Sequence, residues 1–441
     1  MNTPGIGDQP PGTTASGRHR VIIAVTAAVM LPGVVLRLFP ANFPDPLQAL
    51  IFGLAIVGAA FLLSWAAEVA QLDISAGLAI AVLALIAVLP EYAVDMVFSI
   101  KAGQAVNQFG SACQAPGATG ETPCSLALAN MTGANRLLIG FGWSMVVFVG
   151  WYRFRKQGDS FRELILERSH SVELAFLTIA SLYCLTLPFK RTITLVDAAL
   201  LVGLFVLYTV RISKAPASHP DLVGAAAYIG AFPKARRRAT VIAMFVVAAT
   251  VIILCAERFA ESLVSTGADL GISEFFLVQW LAPLASEAPE LLVAGLYAWR
   301  LNTNAGLATL VSSKVNQWTL LVGSLPVVFA ISSGSFSGLP ILARQREELL
   351  LTAAQSVFAV VVLSNLSISV REAWALFGLF WAQFFLGAVL PASAHGTELV
   401  AVSVVYLVLA AYTLFRLGTH RGLELMRDGL VAPYSQLVAD Q

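Results

Sequence analysis

Two Pro-Glu steps, Pro90-Glu91 and Pro289-Glu290, occur inside long apolar segments of the 441-residue sequence. A proline removes a backbone donor, which frees carbonyl oxygens one turn earlier in a helix. A carboxylate deep in an apolar segment is energetically costly and is therefore typical of a functional site. Carbonyl and carboxylate oxygens are the ligands that hard cations prefer. The two steps predict a cation site, and their duplication indicates an internal repeat.

Each of these glutamates has a second carboxylate on the same helical face. Asp95 follows Glu91 by four residues and Glu287 precedes Glu290 by three, and residues three or four apart are neighbours on a helix. A second apolar segment follows each Pro-Glu segment, with polar residues halfway along: Asn130 and Asn135 in the first, and Thr309, Ser313 and Lys314 in the second. Such residues alone are typical of helix–helix contacts. Because matching sets of polar residues occur in both halves, we interpret them as parts of a functional site.

The elements that must position these residues are membrane-spanning helices. The chain is 58% hydrophobic and 12% charged, whereas a soluble domain has about 45–50% apolar and 25% charged residues. This composition predicts an all-α polytopic membrane protein whose partner is the lipid bilayer, with no nucleic-acid partner. The sequence has neither a Gly-x-x-x-x-Gly-Lys phosphate loop nor a His-Glu-x-x-His motif, so an ATP-driven pump, a metalloprotease and a cofactor are not expected, and the chain is not expected to be an enzyme.

A bilayer core of about 30 Å needs about 20 apolar residues per helix, and this rule predicts about twelve spans. Their ranges are 20–38, 46–69, 74–100, 125–152, 171–188, 192–212, 239–263, 273–299, 305–331, 348–366, 371–391 and 398–416. We interpret residues 46–212 and 239–391 as two five-helix repeats, with one extra transmembrane helix at each end, 20–38 and 398–416. The remaining segments are interpreted as a disordered cytoplasmic tail at 1–19, a cytoplasmic linker at 213–238 and a second cytoplasmic tail at 417–441.

Lysine and arginine residues concentrate in alternate loops, for example at 153–168 and 234–238. The positive-inside rule then places both termini in the cytoplasm, and the short loops favour a bacterial plasma (inner) membrane. An odd number of spans per repeat gives the two repeats opposite orientations, an arrangement that places a transporter's substrate site at the midplane. The loop at 101–124 then faces outward, where Cys113 and Cys124 either form a disulfide or remain two free thiols.

At these motifs the sequence resembles the cation/calcium exchanger superfamily, over residues 46–391. That family has two inverted alpha repeats, each with a small-residue-Leu-Pro-Glu step followed by a Gly-Asn-x-x-Gly-Ser-Asn element. The first repeat here has Leu89-Pro90-Glu91 and then Asn130 to Asn135, and the second has Ala288-Pro289-Glu290 and then Thr309 to Lys314. The resemblance implies a secondary antiporter that exchanges Ca²⁺ for Na⁺ or H⁺ by alternating access.

The resemblance also implies which residues bind the transported cation. Glu91 and Glu290 match the two family glutamates that coordinate it, and Asn130 matches the asparagine of the first Gly-Asn element. Thr309 takes the corresponding position in the second repeat, where it is a neutral and weaker ligand. The expected cation-binding residues are therefore Glu91, Glu290, Asn130 and Thr309, and the transported cation is Ca²⁺, Na⁺ or H⁺.

Lys314 is the main departure from the family pattern, because Asn135 occupies its position in the first repeat. A lysine inside a membrane must be paired or neutral, and we expect it to pair with Glu287, Glu290 or Asp95. One hypothesis is that its ammonium takes a cation position of the usual site, so that its protonation substitutes for a bound ion. The other is that it only neutralises surplus carboxylates.

The residues expected to set charge and coupling are Asp95, Glu287, Lys314, Asn135 and Ser313. Since Thr309 and Lys314 weaken divalent binding, a monovalent Na⁺/H⁺ exchanger is an alternative to Ca²⁺ exchange. A transport-inactive receptor or scaffold is an alternative of another class, although decay of a site would more often leave apolar residues than add Glu287 and Lys314. The sequence leaves the oligomeric state open.

Overall fold

The computed structural model describes residues 13–73, 89–117, 120–215, 222–417 and 419–439. The helices of the first half are α1 (Thr13–Leu38), α2 (Asp45–Ala70), α3 (Leu89–Phe109), α4 (Pro123–Leu126), α5 (Ala129–Leu137), α6 (Ser144–Lys156), α7 (Ser171–Cys184), α8 (Leu195–Ile212) and α9 (Gly224–Gly230). Residues 1–12 of the predicted tail and residues 74–88 of the predicted span 74–100 lie outside the described residues.

The helices of the second half are α10 (Lys234–Leu270), α11 (Glu274–Trp299), α12 (Thr303–Asn316), α13 (Val322–Ser333), α14 (Ala343–Val362), α15 (Val370–Val389), α16 (His395–Leu417), α17 (Thr419–Val431) and α18 (Tyr434–Ala439). The strands are β1 (Glu163–Ile165), β2 (Thr192–Ile193), β3 (Leu339–Pro340) and β4 (Ser367–Ser369). The described chain is helical apart from these short strands and the loops, and the predicted all-α polytopic class is confirmed.

Ten helices of the described chain are long and apolar enough to cross a membrane. The predicted span 273–299 is not among them, although it corresponds to the 26-residue helix α11. Glu287 and Glu290 lower the mean hydropathy of this helix. The Pro-Glu helix of the second repeat is therefore recognised as a span by its length and position rather than by its hydropathy.

Several predicted boundaries differ from the observed ones. The predicted linker 213–238 contains α9 and the first turn of α10, and α10 is 37 residues long. The predicted tail 417–441 contains α17 and α18, and Asp428 of α17 forms an ion pair with Arg168 at 2.9 Å. These segments are helical because each places apolar residues against the bundle: Ile229 of α9 is 1% exposed, as is Leu437 of α18.

Helix ends in the second half follow local backbone chemistry. α10 ends where Gly271 adopts φ 64°, and α13 ends where Gly334 adopts φ 66°, a left-handed conformation that glycine adopts without strain. α15 begins with a capping box, in which Ser369 and Glu372 each satisfy the other's backbone N–H. These signals determine where α10 and α13 end and where α15 begins.

The helix after each Pro-Glu helix contains a π-helical segment. It spans Leu138–Trp143 between α5 and α6, and Gln317–Leu321 between α12 and α13. Asn135 and Lys314 each lie three residues before their segment. π-Helical turns are rare and occur mostly at functional sites. Their matching positions show that the two halves of the chain are built on one plan.

The strands join the two halves reciprocally. β1, in the loop between α6 and α7, pairs antiparallel with β4, in the loop between α14 and α15. β2, between α7 and α8, pairs antiparallel with β3, between α13 and α14. Each pair therefore joins the third inter-helix loop of one repeat to the fourth inter-helix loop of the other, as a two-fold relation between inverted repeats requires.

The helices of the two halves also interleave. α2 packs along α10, α3 packs on α13, and α5 packs on α11. Glycines allow these close approaches: a Cβ atom at Gly133 would lie 1.7 Å from the carbonyl oxygen of Gln279, and one at Gly103 would lie 1.9 Å from Ser332 Oγ. Small residues at helix crossings are typical of membrane proteins. The polar residues of α3, α5, α11 and α12 are consequently brought into one buried region.

The loop that the sequence analysis places outside contains a disulfide between Cys113 and Cys124, whose Cα atoms are 6.1 Å apart. Cys184 and Cys255 are free and buried. The disulfide joins the end of α3 to the start of α4, and so links the Pro-Glu helix of the first repeat to the polar helix that follows it.

Candidate cation site

Glu91 and Asp95 lie one turn apart on the buried face of α3, with exposures of 2% and 0%. Two hydrogen bonds fix α3 against the second repeat. Tyr92 Oη donates to Asn316 Oδ1 at 3.2 Å, and Ser99 Oγ donates to the carbonyl oxygen of Leu325 at 2.8 Å. The carboxylates of the first repeat are thereby held facing the second.

Helix α11 contains two prolines, Pro283 and Pro289. Each proline lacks the N–H that would donate to the carbonyl four residues earlier. For Pro283 this carbonyl belongs to Gln279, and its oxygen lies against Gly133 of α5. Ser286 Oγ donates to the carbonyl of Pro283 at 3.2 Å. The helix thus remains continuous past both prolines and carries Glu287 and Glu290 into the interior.

The structure brings three glutamates from the two repeats together. Glu287 lies next to Glu91 and Glu290. Gln317 Nε2 donates to Glu287 Oε1 at 2.9 Å and to Glu91 Oε2 at 3.4 Å. Ser313 lies beside Glu290. We call Glu91, Glu287, Glu290 and Gln317 the carboxylate cluster.

Many polar atoms in and around this cluster have no hydrogen-bond partner within the described structure. They are Glu91 Oε1, Asp95 Oδ1 and Oδ2, Asn130 Oδ1 and Nδ2, Glu287 Oε2, Glu290 Oε2, Ser313 Oγ and Gln317 Oε1. Buried polar groups are normally satisfied, so this concentration is unusual. Carboxylate, amide and hydroxyl oxygens that converge from both repeats match the ligands of a hard cation.

Carboxylates alone do not complete such a site. Among the described residues, no three His, Cys, Asp or Glu side chains are grouped closely enough to hold a metal ion. A cation at the cluster therefore needs neutral oxygens as well as the glutamates. Hard cations commonly bind such mixed ligand sets, in which amide and hydroxyl oxygens accompany carboxylates.

Asn130 is fully buried on α5, and its side chain lies beside that of Asp95. Asn135, five residues later, uses its Nδ2 to donate to the carbonyl of Met131 at 2.9 Å. Thr309, predicted as the neutral ligand of the second repeat, is partly exposed, and its Oγ1 donates to the carbonyl of Ala305 at 2.9 Å. Asn130 is thus positioned toward a carboxylate, whereas the Thr309 hydroxyl is engaged within its own helix.

The prediction that Lys314 pairs with Glu287, Glu290 or Asp95 is wrong for the described structure. Lys314 Nζ donates to the backbone carbonyl of Asn135 at 2.7 Å and to its Oδ1 at 2.6 Å, and it lies 5.1 Å from the centroid of the Trp318 ring. The reason is symmetry: Lys314 and Asn135 occupy equivalent positions in the two repeats, and the helices cross so that these positions meet.

Sequence reasoning missed two features of this region. Gln317 has an amide three residues after Lys314, on the same helical face, and this spacing could have identified it. The second is Arg136, whose Nη2 lies 2.9 Å from Glu348 Oε2 and whose guanidinium lies 4.9 Å from the Trp280 ring. No local signal in the sequence joins Arg136 to Glu348, because 212 residues separate them.

Glu348 also lines a cavity of about 310 Å³ bounded by α11, α14, α15 and α16, with His395 and Glu398. Gln279 lines the same cavity, and its Nε2 donates to Thr132 Oγ1 on α5 at 3.4 Å. This second polar region therefore adjoins the helix that carries Asn130. It remains separate from the carboxylate cluster.

Comparisons with known proteins agree with this geometry. The chain is 38% identical to a protein whose crystal structure is described as that of the H⁺/Ca²⁺ exchanger CAX, over 97% of this chain and 100% of that chain, with a TM-score of 0.83. Native YfkE is 13% identical over 89% of this chain and 100% of its own, with a TM-score of 0.57, and this likeness shows the fold alone. A comparison with curated proteins gave no match.

A family model described as sodium/calcium exchanger protein matches residues 46–214 and 240–388. The two matched segments contain every residue of the carboxylate cluster, together with Asn130, Asn135 and Lys314. The matched segments cover most of the chain and fall on its two halves. The chain belongs to the sodium/calcium exchanger protein family, and it is a membrane transporter rather than an enzyme.

Proposed function

We propose that the protein is a secondary active antiporter that exchanges Ca²⁺ for H⁺ or Na⁺ by alternating access. The observation that carries this proposal is the carboxylate cluster, in which glutamates from both repeats meet with unpaired oxygens. The likeness to a structure described as an H⁺/Ca²⁺ exchanger favours H⁺ as the counter-ion.

Competition for the same oxygens would couple the two fluxes. The charge of a buried carboxylate group can be balanced by a metal cation or by protons, but one oxygen cannot bind both at once. In the proposed mechanism, Glu91 and Glu290 bind the cation, and the neutral ligands are Asn130 and Thr309. Asp95, Glu287, Asn135, Ser313 and Lys314 set the charge of the site.

Alternating access requires that the cluster face each side of the membrane in turn. Its ligands come from α3 and α5 in one repeat and from α11 and α12 in the other. Relative sliding of these helix pairs would open one side of the cluster as it closes the other. The helices of opposite repeats are in close contact at Gly133 and Gly103, where neither residue has a side chain.

Lys314 favours a second candidate, monovalent Na⁺/H⁺ exchange. Lys314 Nζ donates a hydrogen bond to the side-chain oxygen of Asn135. In the family pattern this oxygen would be available to a cation. When it is protonated, Lys314 also opposes binding of a divalent ion more than binding of a monovalent one. We propose further that the protein resides in a bacterial inner membrane with both termini in the cytoplasm, as the loop charges favour.

Purified protein in proteoliposomes tests these proposals. We expect Ca²⁺ flux driven by a H⁺ or Na⁺ gradient, and loss of that flux in Glu290→Gln. Glu257→Gln, on the exposed face of α10, is the matched control and should transport normally. Na⁺ or H⁺ flux without Ca²⁺ dependence would support the monovalent exchanger, and no gradient-driven flux of any cation would overturn both.

A further inference from the structure

A second group of buried polar side chains lies in and behind the cavity of about 310 Å³ that is bounded by α11, α14, α15 and α16. Arg136 of α5 is at its centre. Arg136 Nη1 donates to Gln383 Oε1 on α15 at 3.1 Å, and Arg136 Nη2 lies 2.9 Å from Glu348 Oε2 on α14. Glu398 of α16 completes the set, and all four side chains are buried. We call Arg136, Glu348, Gln383 and Glu398 the Arg136 group.

Two carboxylates share one guanidinium in this group. Glu398 lies beside Gln383 and close to both Glu348 and Arg136. Glu398 is only 8% exposed and lines the cavity, yet its Oε1 has no hydrogen-bond partner among the described residues. A buried carboxylate without a partner is costly. The Arg136 group is therefore short of one positive charge, on the side that faces the cavity.

The other basic side chains that line the cavity are engaged elsewhere. Arg344 Nη1 donates to Glu121 at 2.8 Å, and its guanidinium lies 4.0 Å from the centroid of the Phe275 ring. His395 Nε2 donates to the backbone carbonyl of Leu390 at 2.9 Å, and a histidine is charged only when it is protonated. Neither side chain is hydrogen-bonded to Glu398, so the missing charge has to come from outside the lining.

Aromatic rings form part of the cavity wall. Phe276, Trp280 and Phe384 line it, and the centroid of the Phe384 ring lies 5.1 Å from that of Trp280 and 5.4 Å from that of Phe276. The mouth lies at the turn between α10 and α11, where Ile272 and Ser273 are exposed. Ligand pockets have volumes of about 300–1,000 Å³, so this cavity suits a small ligand. Carboxylates combined with aromatic rings favour an organic cation.

A metal ion fits this cavity less well than an organic cation does. Among the described residues, no three His, Cys, Asp or Glu side chains are grouped closely enough to hold a metal. Arg136 itself shows which cation the surroundings suit, because its guanidinium is bound by the Glu348 carboxylate, the Gln383 amide oxygen and the face of Trp280 at 4.9 Å. A second organic cation at Glu398 would find the same kinds of contact.

We propose that this cavity is a binding site for a small aromatic ammonium compound, whose charged group pairs with Glu398 and whose ring lies against Phe276 and Phe384. The site is separate from the carboxylate cluster. Glu398 lies on α16, which begins at His395, after the segments that the family model matches have ended at residue 388. The inference does not depend on which ions the protein exchanges.

Thermal unfolding of the detergent-purified protein with benzylammonium as the probe tests the site, because a bound ligand stabilises the folded state. We expect the unfolding temperature to rise with benzylammonium concentration and then to saturate. Benzyl alcohol has the same ring without the charge and should give no saturable rise. An equal rise with both compounds would show that only the ring matters and would overturn the inference, as would the absence of a saturable rise with benzylammonium.

Two variants locate the probe in this cavity. Glu398→Gln removes the unpaired charge and should raise the half-saturating benzylammonium concentration about tenfold, whereas Glu257→Gln, at an exposed carboxylate of α10, should stay within about twofold of wild type. Unchanged binding in Glu398→Gln would overturn the inference.

The second variant fills the cavity and leaves Glu398 in place. Gly387 lines the cavity, and an added Cβ there would meet only Gln383 Nε2, at 3.6 Å, an ordinary contact. Gly387→Leu should therefore fold and lose the saturable rise. Gly378→Leu is the matched control, because Gly378 lies on the same helix with no atom within 4 Å of an added Cβ. If Glu398→Gln does not unfold cooperatively, Gly387→Leu decides, and binding equal to that of Gly378→Leu would overturn the inference.

Discussion

Lys314 and Asn135 occupy equivalent positions in the two repeats and bind each other. Lys314 Nζ donates to both the backbone carbonyl and the side-chain oxygen of Asn135, at 2.7 and 2.6 Å. The two polar positions that correspond to each other in the family pattern therefore hydrogen-bond to each other here. The structure places a lysine where two asparagines would otherwise offer oxygens from opposite repeats.

Replacing Lys314 with asparagine restores the symmetric pair and removes a basic group from the neighbourhood of the cluster. We expect Lys314→Asn to lower the half-saturating Ca²⁺ concentration by about tenfold, because asparagine adds a neutral oxygen and cannot be protonated. The dependence of exchange on pH should change as well. Flux measured in proteoliposomes across a range of Ca²⁺ concentrations and pH checks this, and transport identical to wild type would contradict a role for Lys314 in coupling.

The ion pair between Arg136 and Glu348 should contribute to stability. Its side chains are 2% and 5% exposed, and removal of one partner from a buried pair costs about 3–5 kcal/mol because the other charge is left uncompensated. We expect Glu348→Gln to lower the unfolding temperature of the purified protein. Arg258→Gln, which removes the exposed ion pair between Arg258 and Glu261, is the control and should cost less than about 1 kcal/mol. Equal effects of the two substitutions would count against this interpretation.

Gly133 should tolerate no side chain. An added Cβ would lie 1.7 Å from the carbonyl oxygen of Gln279, so α5 and α11 would have to separate. We expect Gly133→Ala to lower stability by about 1–3 kcal/mol and to impair exchange. Gly203→Ala, at a helical glycine with no atom within 4 Å of an added Cβ, should be neutral or stabilising by up to about 1 kcal/mol. Thermal unfolding of both variants measures the difference.

Asp73 should make stability depend on acid pH. It lies beyond the end of α2, where Arg237 donates to it at 2.8 and 3.0 Å and thereby holds the pKa of Asp73 below its usual value. Because the folded-state pKa is the lower one, the stabilisation is fully present above the unfolded pKa, about 3.9, and is lost as pH falls through the folded value.

Unfolding temperatures measured from pH 7 to pH 3 test this dependence. Wild type should exceed Asp73→Asn near neutral pH, and the two curves should converge as Asp73 becomes protonated. A constant difference down to the lowest pH would show that Asp73 acts without its charge. Glu257→Gln, which removes an exposed carboxylate, controls for general effects of acid.

The sequence was sufficient to predict the helical membrane class and the three glutamates of the cluster. Glu91, Glu287 and Glu290 were identifiable because charged residues are rare and costly in apolar spans, so each one is informative. The spacing of four residues between Glu91 and Asp95, and of three between Glu287 and Glu290, placed each pair on one face of its helix. Both acidic pairs were predicted from local spacing alone.

Side-chain contacts between the two repeats could not be predicted from charge or from local spacing. The expectation for Lys314 considered charge and therefore chose carboxylates, whereas the helix crossing brings it to Asn135. The spacing from Lys314 could have identified Gln317 as a polar residue of this region, but its contacts with Glu91 and Glu287 could not be predicted, because Gln317 lies in a π-helical turn where side-chain directions depart from the ordinary helical period. Strands of two or three residues, such as β2 and β1, are too short to show an alternating pattern.

The exchanged strands have a consequence for how the chain is held together. Ser367 of β4 and Glu163 of β1 are hydrogen-bonded although 204 residues separate them in sequence, and β2 pairs with β3 in the same reciprocal manner. Each repeat thus completes its small sheets only with strands from the other. A chain cleaved once in the segment between α9 and α10 would leave two fragments that still hold each other through both sheets and the interleaved helices, so covalent continuity there is dispensable once the protein has assembled.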